Sequence, residues 1–142
     1  MYHAIVRSLV RRTWRRAGAG DFGAAVAMAA PDIRFRFLGD TPLGADVRGR
    51  QAFRDWFDTF ERHLPGIRLE LEDVIANGWP WHTTVAARLR VRGTLADGTP
   101  YRNTAIQWFT LRWGRLTDDL VLEDTLALDA ALRRQDAART PA

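Results

Sequence analysis

Two segments that alternate in polarity flank the dipeptide Asp97-Gly98: Thr83 to Arg92 before it, and Tyr101 to Phe109 after it. Asp-Gly between alternating segments is the strongest short-range signal for a β-hairpin, because the tightest hairpin turn needs positive φ at both central residues. The chain is therefore built around a long two-stranded ribbon with chemically unlike faces. Alternate positions of the first segment carry Arg88, Arg90 and Arg92, and the positions between them carry Val85, Ala87, Leu89 and Val91. Which set is enclosed decides what kind of pocket the fold can hold.

A two-residue turn at Asp97-Gly98 pairs Ala96 with Thr99, which sets Arg88 opposite Gln107, Arg90 opposite Ala105 and Arg92 opposite Asn103. In this register the enclosed face carries His82, Arg88, Arg90, Tyr101, Asn103 and Gln107. The outer face then carries Ala87, Leu89, Val91, Ile106 and Trp108, an apolar surface suited to a homodimer. A one-residue bulge reverses the first strand, so that Val85, Ala87, Leu89 and Val91 turn inward and the arginines meet water. Hydrophobic burial alone favours the bulged version. The turn dipeptide favours the unbulged one, which is the expectation adopted here.

Composition narrows the chemistry. At 142 residues the chain makes one domain, large enough for a core and a cavity. It has no cysteine, which removes disulfides, thiolate nucleophiles and cysteine metal sites. His3, His63 and His82 are scattered without metal-ligand spacing, so no metal is expected. All 21 basic residues are arginine, yet the net charge is only +4. Arg11-Arg12 and Arg15-Arg16 spread over a broad arc of a helix beside Val6, Leu9, Val10 and Trp14, which reads as a solvated face. No nucleic-acid motif accompanies them, and no nucleic-acid partner is expected. No apolar run is long enough to span a bilayer and the first residues lack a signal-peptide core, so a cytoplasmic protein without membrane association is expected.

Along the chain, 3–17 has the apolar spacing of an amphipathic helix, ended by Gly18-Ala19-Gly20. Asp21 is placed to cap a short helix from Phe22 to Ala30, stopped by Pro31. Ile33, Phe35 and Phe37 alternate with Arg34 and Arg36 as a strand, and 39–46 is a loop by its turn residues. A helix over about 50–63 carries Phe53, Trp56, Phe57 and Phe60 on one stripe. A strand from Ile67 reaches a turn at Asn77-Gly78; the hairpin follows, then a turn at Trp113-Gly114 and a last strand over about 115–125. Residues 126–138 are helical by composition, closing one domain over 1–138, and 139–142 form a frayed tail. Helices first and then an antiparallel meander make an α+β domain with helices on one face of a curved sheet.

This order, with Gly20-Asp21-Phe22, Ala30-Pro31-Asp32, Val47-Arg48-Gly49-Arg50, Trp113-Gly114-Arg115-Leu116 and Glu123-Asp124-Thr125, resembles the SnoaL-like branch of the nuclear transport factor 2-like superfamily. The resemblance implies a cone: a curved antiparallel to mixed sheet wrapped by N-terminal helices around a central pocket. Members include ketosteroid isomerases, epoxide hydrolases, polyketide cyclases and noncatalytic binding subunits, so fold alone leaves function open. The tyrosine and two aspartates of the ketosteroid isomerases fall near Thr13, at Phe37 and at Gln107, and none matches. A phenylalanine cannot act as a base, which argues against that mechanism. Of the epoxide hydrolase set, which falls at Phe35, Phe37, Arg88, Arg90 and Val121, only the arginine at Arg88 is kept. The family phase also turns Arg88, Arg90 and Gln107 inward.

What remains is a pocket for a small hydrophobic molecule with a polar or anionic group, in which Asp119, Glu123 or His82 moves a proton. Asp119 would also orient His82. Tyr101, Asn103 and Gln107 would orient a carbonyl or hydroxyl. Arg88 and Arg90 would hold an anion or tune a carboxylate, because a buried guanidinium needs a partner. Trp14, Phe35, Phe37, Trp56 and Phe109 would line the pocket, and Asp40 lies in the loop at its mouth. The expected activity is cofactor-independent isomerisation, cyclisation, dehydration or hydrolysis; the alternative is a noncatalytic binding or dimerising module of the same fold.

Overall fold

A computed structural model describes residues 1–139; Thr140, Pro141 and Ala142, most of the expected frayed tail, lie outside the described residues. Among the described residues four helices and six strands follow the order α1 (Tyr2–Gly18), α2 (Gly23–Met28), β1 (Ala29–Phe37), β2 (Ala45–Arg48), α3 (Arg50–His63), β3 (Arg68–Trp79), β4 (His82–Thr94), β5 (Pro100–Arg112), β6 (Arg115–Glu123) and α4 (Thr125–Arg139). The strands form one sheet in the order β2-β1-β6-β5-β4-β3. Only β1 and β6 run parallel; the other neighbours are antiparallel. Helices cover the concave face, and the core lies between them and the sheet. This is the expected helix-wrapped α+β sheet.

The hairpin register departs from expectation. Gln107 stands opposite Ala87, not Arg88, and every other pair of the ribbon shifts with it. Leu95 and Thr99 close the ribbon, with Leu95 N–H donating to Thr99 O at 2.9 Å and Gly98 N–H donating to Leu95 O at 2.9 Å. Ala96-Asp97-Gly98 is thus a three-residue loop, a turn followed by a left-handed glycine at φ 85°. Asp97 is not left-handed; its Oδ1 accepts the Thr99 amide at 2.9 Å, and its carboxylate also takes Arg134 from α4. The bonds to Thr99 and Arg134 hold its pKa down at about 2. The two-residue turn with both central residues at positive φ occurs instead at Trp113-Gly114, with φ 50° and 77°, between paired Arg112 and Arg115.

Burial decides the register. Val85, Ala87, Leu89 and Val91 are all buried, and Arg88, Arg90 and Arg92 lie on the outer face. Each buried valine or leucine contributes about 1.5–3 kcal/mol, whereas each enclosed guanidinium would cost several kcal/mol before finding a partner. Outside, the arginines meet acids of β3: Arg92 to Glu70 at 3.0 Å, Arg90 to Glu72 at 3.3 Å and Arg88 to Glu72 at 3.9 Å.

Other boundaries move for local reasons. β2 occupies the end of the expected loop, pairing Val47 with Phe35 at the sheet edge. β3 runs through Asn77-Gly78 to Trp79, and the turn falls at Pro80-Trp81. A bulge between Leu71 and Asp73 changes its phase, so Leu69 and Leu71 face inward before it and Val74 after it. Asp21 does not cap α2; its carboxylate pairs with Arg16 at 2.9 Å. Asp124 caps α4, its Oδ1 accepting the amides of Leu126 and Ala127 at 3.1 and 3.3 Å. That helix continues to Arg139, whose guanidinium donates to Arg62 O at 2.6 Å. At Gly18, α1 lies directly on β3: a Cβ there would sit 2.1 Å from Leu69 O, so no side chain fits.

Candidate functional site

One apolar cleft lies between the concave face of the sheet and helices α1 and α3. Its aromatic wall follows from two periodicities. Phe35 and Phe37 project inward from alternate positions of β1, and Phe53, Trp56, Phe57 and Phe60 share one stripe of α3. Trp56 is fixed by its indole N–H, which donates to Leu43 O at 2.8 Å, and its ring lies 4.8 Å from Phe35 and 5.1 Å from Phe37. From α1 comes Trp14, stacked on Phe109 with centroids 4.8 Å apart. Empty space out to the mouth is about 710 Å3, but the fully clear interior is only about 80 Å3. A ligand larger than a few atoms therefore needs the aromatic wall to yield.

The polar content of the cleft comes from β5 and β6. Gln107, Asp119 and Glu123 are its polar lining residues, and all three are buried. Trp14 Nε1–H donates to Gln107 Oε1 at 2.5 Å, and Gln107 Nε2–H donates to Asp119 Oδ1 at 2.7 Å. An indole can only donate, so the amide must turn its oxygen to Trp14 and its NH2 to Asp119. The chain ends at Asp119, which is 2% exposed and whose Oδ2 has no hydrogen-bond partner among the described residues. Burial raises the Asp119 pKa to about 7 against the opposing pull of the Gln107 bond. Burial also raises Glu123 to about 7, and its Oε2 is enclosed with no partner among the described residues.

Tyr101 is buried beside Glu123, and its oxygen accepts Asn103 Nδ2–H at 2.8 Å. Burial, with Glu123 as neighbour, pushes its phenol well above the ordinary range. Asn103 is half-buried and also donates to Asp124 O at 3.0 Å, tying β5 to the start of α4.

The structure thus gathers Trp14, Phe35, Phe37, Trp56, Gln107, Asp119 and Glu123 around one cleft, with Tyr101 next to Glu123. It does not bring in the others. Arg88 and Arg90 face the opposite side of the sheet for the reason given by the register. His82 is exposed at the start of β4, on the outer phase and away from the Val85–Phe109–Asp119 row, so Asp119 cannot orient it. Asp40 is exposed in the β1–β2 loop and lines nothing in the cleft. Sequence reasoning missed Leu89 as a lining residue, a direct consequence of the register. It saw the α3 stripe without assigning Phe53, Phe57 and Phe60 to the pocket. The Trp14–Gln107–Asp119 chain had no sequence signal, since its ends are joined only by tertiary packing. Among the described residues no group of three or more His, Asp or Glu could hold a metal ion, and no helix is long and apolar enough to cross a membrane.

A curved, unclosed six-stranded α+β sheet wrapped by helices is the cone fold of the nuclear transport factor 2-like class. Within that class the chain belongs to the SnoaL-like domain family, whose pattern it matches over residues 10–119. No curated protein matches it in sequence. Among solved structures it is similar to a SnoaL-like candidate polyketide cyclase from Jannaschia sp. CCS1, at 18% identity and TM-score 0.75, covering 98% of this chain and 95% of that one. It is also similar to IdmH, a candidate polyketide cyclase from Streptomyces antibioticus, at 20% identity and TM-score 0.68, covering 92% and 97%. An NTF2-like protein of unknown function from Burkholderia pseudomallei aligns at 19% identity and TM-score 0.73, covering 89% and 95%.

Proposed function

We propose that the cleft binds a hydrophobic metabolite and transfers a proton within it without a cofactor, in an isomerisation, cyclisation or dehydration. The observation that carries this reading is the Trp14–Gln107–Asp119 chain, which fixes one carboxyl oxygen and leaves the other unpartnered in an apolar cleft. With Oδ1 committed as acceptor, the proton of the neutral acid sits on Oδ2. A group poised near pH 7 can both give and take that proton in one turnover. Asp119 is the proton carrier here, and Gln107 is the positioning residue that points it. Arg88, Arg90, His82 and Asp40 have no part in this chemistry.

The test needs no knowledge of the natural substrate. The protein is incubated with 2-tetralone in deuterium oxide and exchange of the acidic carbon-bound protons is followed by NMR. Exchange above the buffer rate that rises through pH 7 and disappears in Asp119→Asn supports the reading. Equal exchange by Asp119→Asn overturns it.

A second reading is supported by the outer face of the sheet. Ile75, Ile106, Trp108 and Leu122 are between 46% and 65% exposed there. Such an apolar face fits a second copy of the chain, so the protein also acts as a homodimer through this surface. This holds whether or not the cleft is catalytic.

A further inference from the structure

Asp119 and Glu123 project from the same face of β6, four residues apart, a separation of roughly 13 Å at the rise of a strand. Both line the cleft, and among the described residues they are its only ionisable lining residues. The proton-transfer reading uses Asp119 and leaves Glu123 without a task. Yet Glu123 is 6% exposed, and its Oε2 is enclosed with no partner among the described residues. Folded proteins seldom leave a buried oxygen unmet.

The neighbours of Glu123 offer little relief: the Tyr101 hydroxyl lies beside it, accepts from Asn103 and makes no hydrogen bond to Glu123 among the described residues. Asn103 spends its amide hydrogens on Tyr101 and Asp124 O, and its Oδ1 on the Thr104 amide. Asp124 turns its carboxylate to the first turn of α4. Among the described residues no arginine lines the cleft, and those of β4 pair with Glu70 and Glu72 outside. An anion entering the cleft would meet two acids and no counter-charge. A neutral molecule with a hydroxyl or carbonyl would satisfy the open oxygen.

We infer that Glu123 is a second recognition pole, and that the cleft takes an uncharged, elongated ring compound with a hydroxyl or carbonyl at each end, one at Asp119 and one at Glu123. Carboxylates and phosphates are turned away. The inference rests on the proton-transfer reading only in placing one end of the ligand at Asp119.

Three probes of one shape separate the possibilities: p-cresol, 4-hydroxybenzyl alcohol and 4-hydroxybenzoate. Each is titrated against the intact protein at pH 8, with the indole N–H signal of Trp14 as the reporter in the cleft. The alcohol should bind about 3–10-fold more tightly than p-cresol, the gain of one net hydrogen bond. The benzoate should bind at least about tenfold more weakly than p-cresol, the scale on which one unfavourable charge contact acts. Glu123→Leu should erase the advantage of the alcohol, read as the ratio of its affinity to that of p-cresol in the same variant. Glu123→Gln, which keeps the shape and hydrogen bonding, should keep that advantage and soften the rejection of benzoate. The inference is overturned if benzoate binds as well as p-cresol, if Glu123→Leu retains the alcohol's advantage, or if no probe moves the Trp14 signal. Failure of the proton-transfer reading appears separately, as unchanged 2-tetralone exchange in Asp119→Asn, which these titrations do not measure.

Discussion

Trp14 on the first helix and Gln107 on the fifth strand are joined by a buried hydrogen bond of 2.5 Å across 93 positions of sequence. The bond does two things at once. It pins α1 to the floor of the cleft, and it decides which end of the Gln107 amide faces Asp119. Trp14→Phe keeps an aromatic ring for Phe109 to stack on, removes the donor and leaves a small void where the second ring was. Gln107 Oε1 is then buried without a partner, which costs about 1–3 kcal/mol. Urea denaturation should show that loss. NMR titration should also show the Asp119 carboxyl titrating at a different pH, because its fixed donor has been released; an unmoved titration would mean that Gln107 holds its orientation without Trp14.

Asp119 and Glu123 make the protein less stable as pH rises. Each carboxyl has a folded pKa of about 7 against an ordinary value of 3.8 or 4.5. Below the ordinary value both states are protonated and nothing is lost. Between there and pH 7 the unfolded chain ionises while the folded one holds its proton, so unfolding becomes easier with each unit. Above pH 7 the cost is complete, on the order of 4 kcal/mol for Asp119 alone. Melting temperature should therefore fall from pH 5 to pH 8. Asp119→Asn combined with Glu123→Gln should flatten that slope, and a double variant with the wild-type slope would refute the assignment to these two groups.

The parts of the fold that were legible in the sequence are those carried by strong local periodicity. The stripe of α3, the alternation of β1 and β5 and the turn at Trp113-Gly114 each follow from side-chain direction within one element. The inward direction of Asp119, Gln107 and the aromatic side chains of β1 and α3 follows from that periodicity. The phase of β4 was not legible, because it depends on one residue in a loop. Asp97-Gly98 suits both a two-residue turn and the last two positions of a three-residue one, and the choice reverses every side chain of the strand. Family phase then reinforced the wrong choice at Arg88. The cost of burying three arginines against the gain from Val85, Leu89 and Val91 was the better guide. β2 was hidden for another reason: four residues at a sheet edge, held by pairing with β1, carry little pattern of their own.

The register makes a paired prediction at adjacent residues. Leu89 is buried and lines the cleft, so Leu89→Ala should cost about 2–5 kcal/mol, the range for emptying a core position. Arg88 is exposed and its only ion pair among the described residues is a 3.9 Å contact with Glu72, so Arg88→Ala should change stability by less than about 0.5 kcal/mol. Chemical denaturation of the two variants reads both values. Ligand binding should survive Arg88→Ala, since the guanidinium is on the far side of the sheet. If instead Arg88→Ala were the severe change, the ribbon would have to be turned over.

Trp108 stands at the middle of the outer sheet face, 56% exposed, with Ile106 on its own strand and Leu120 paired across from it on β6. Ala86 pairs with it from β4, and Ile75 extends the same row onto β3. An indole at the centre of such a row is the kind of residue that dominates an interface when a partner covers it. On the proposed homodimer, sedimentation at micromolar concentration should give twice the chain mass for the wild type. Trp108→Glu places two carboxylates face to face at a two-fold contact without disturbing the core, and it should give the monomer with an unchanged far-ultraviolet spectrum. The cleft opens on the other side of the sheet, so the p-cresol titration should be unaffected by the change. A wild-type chain that sediments as a monomer would remove the dimer and leave the cleft chemistry standing on its own.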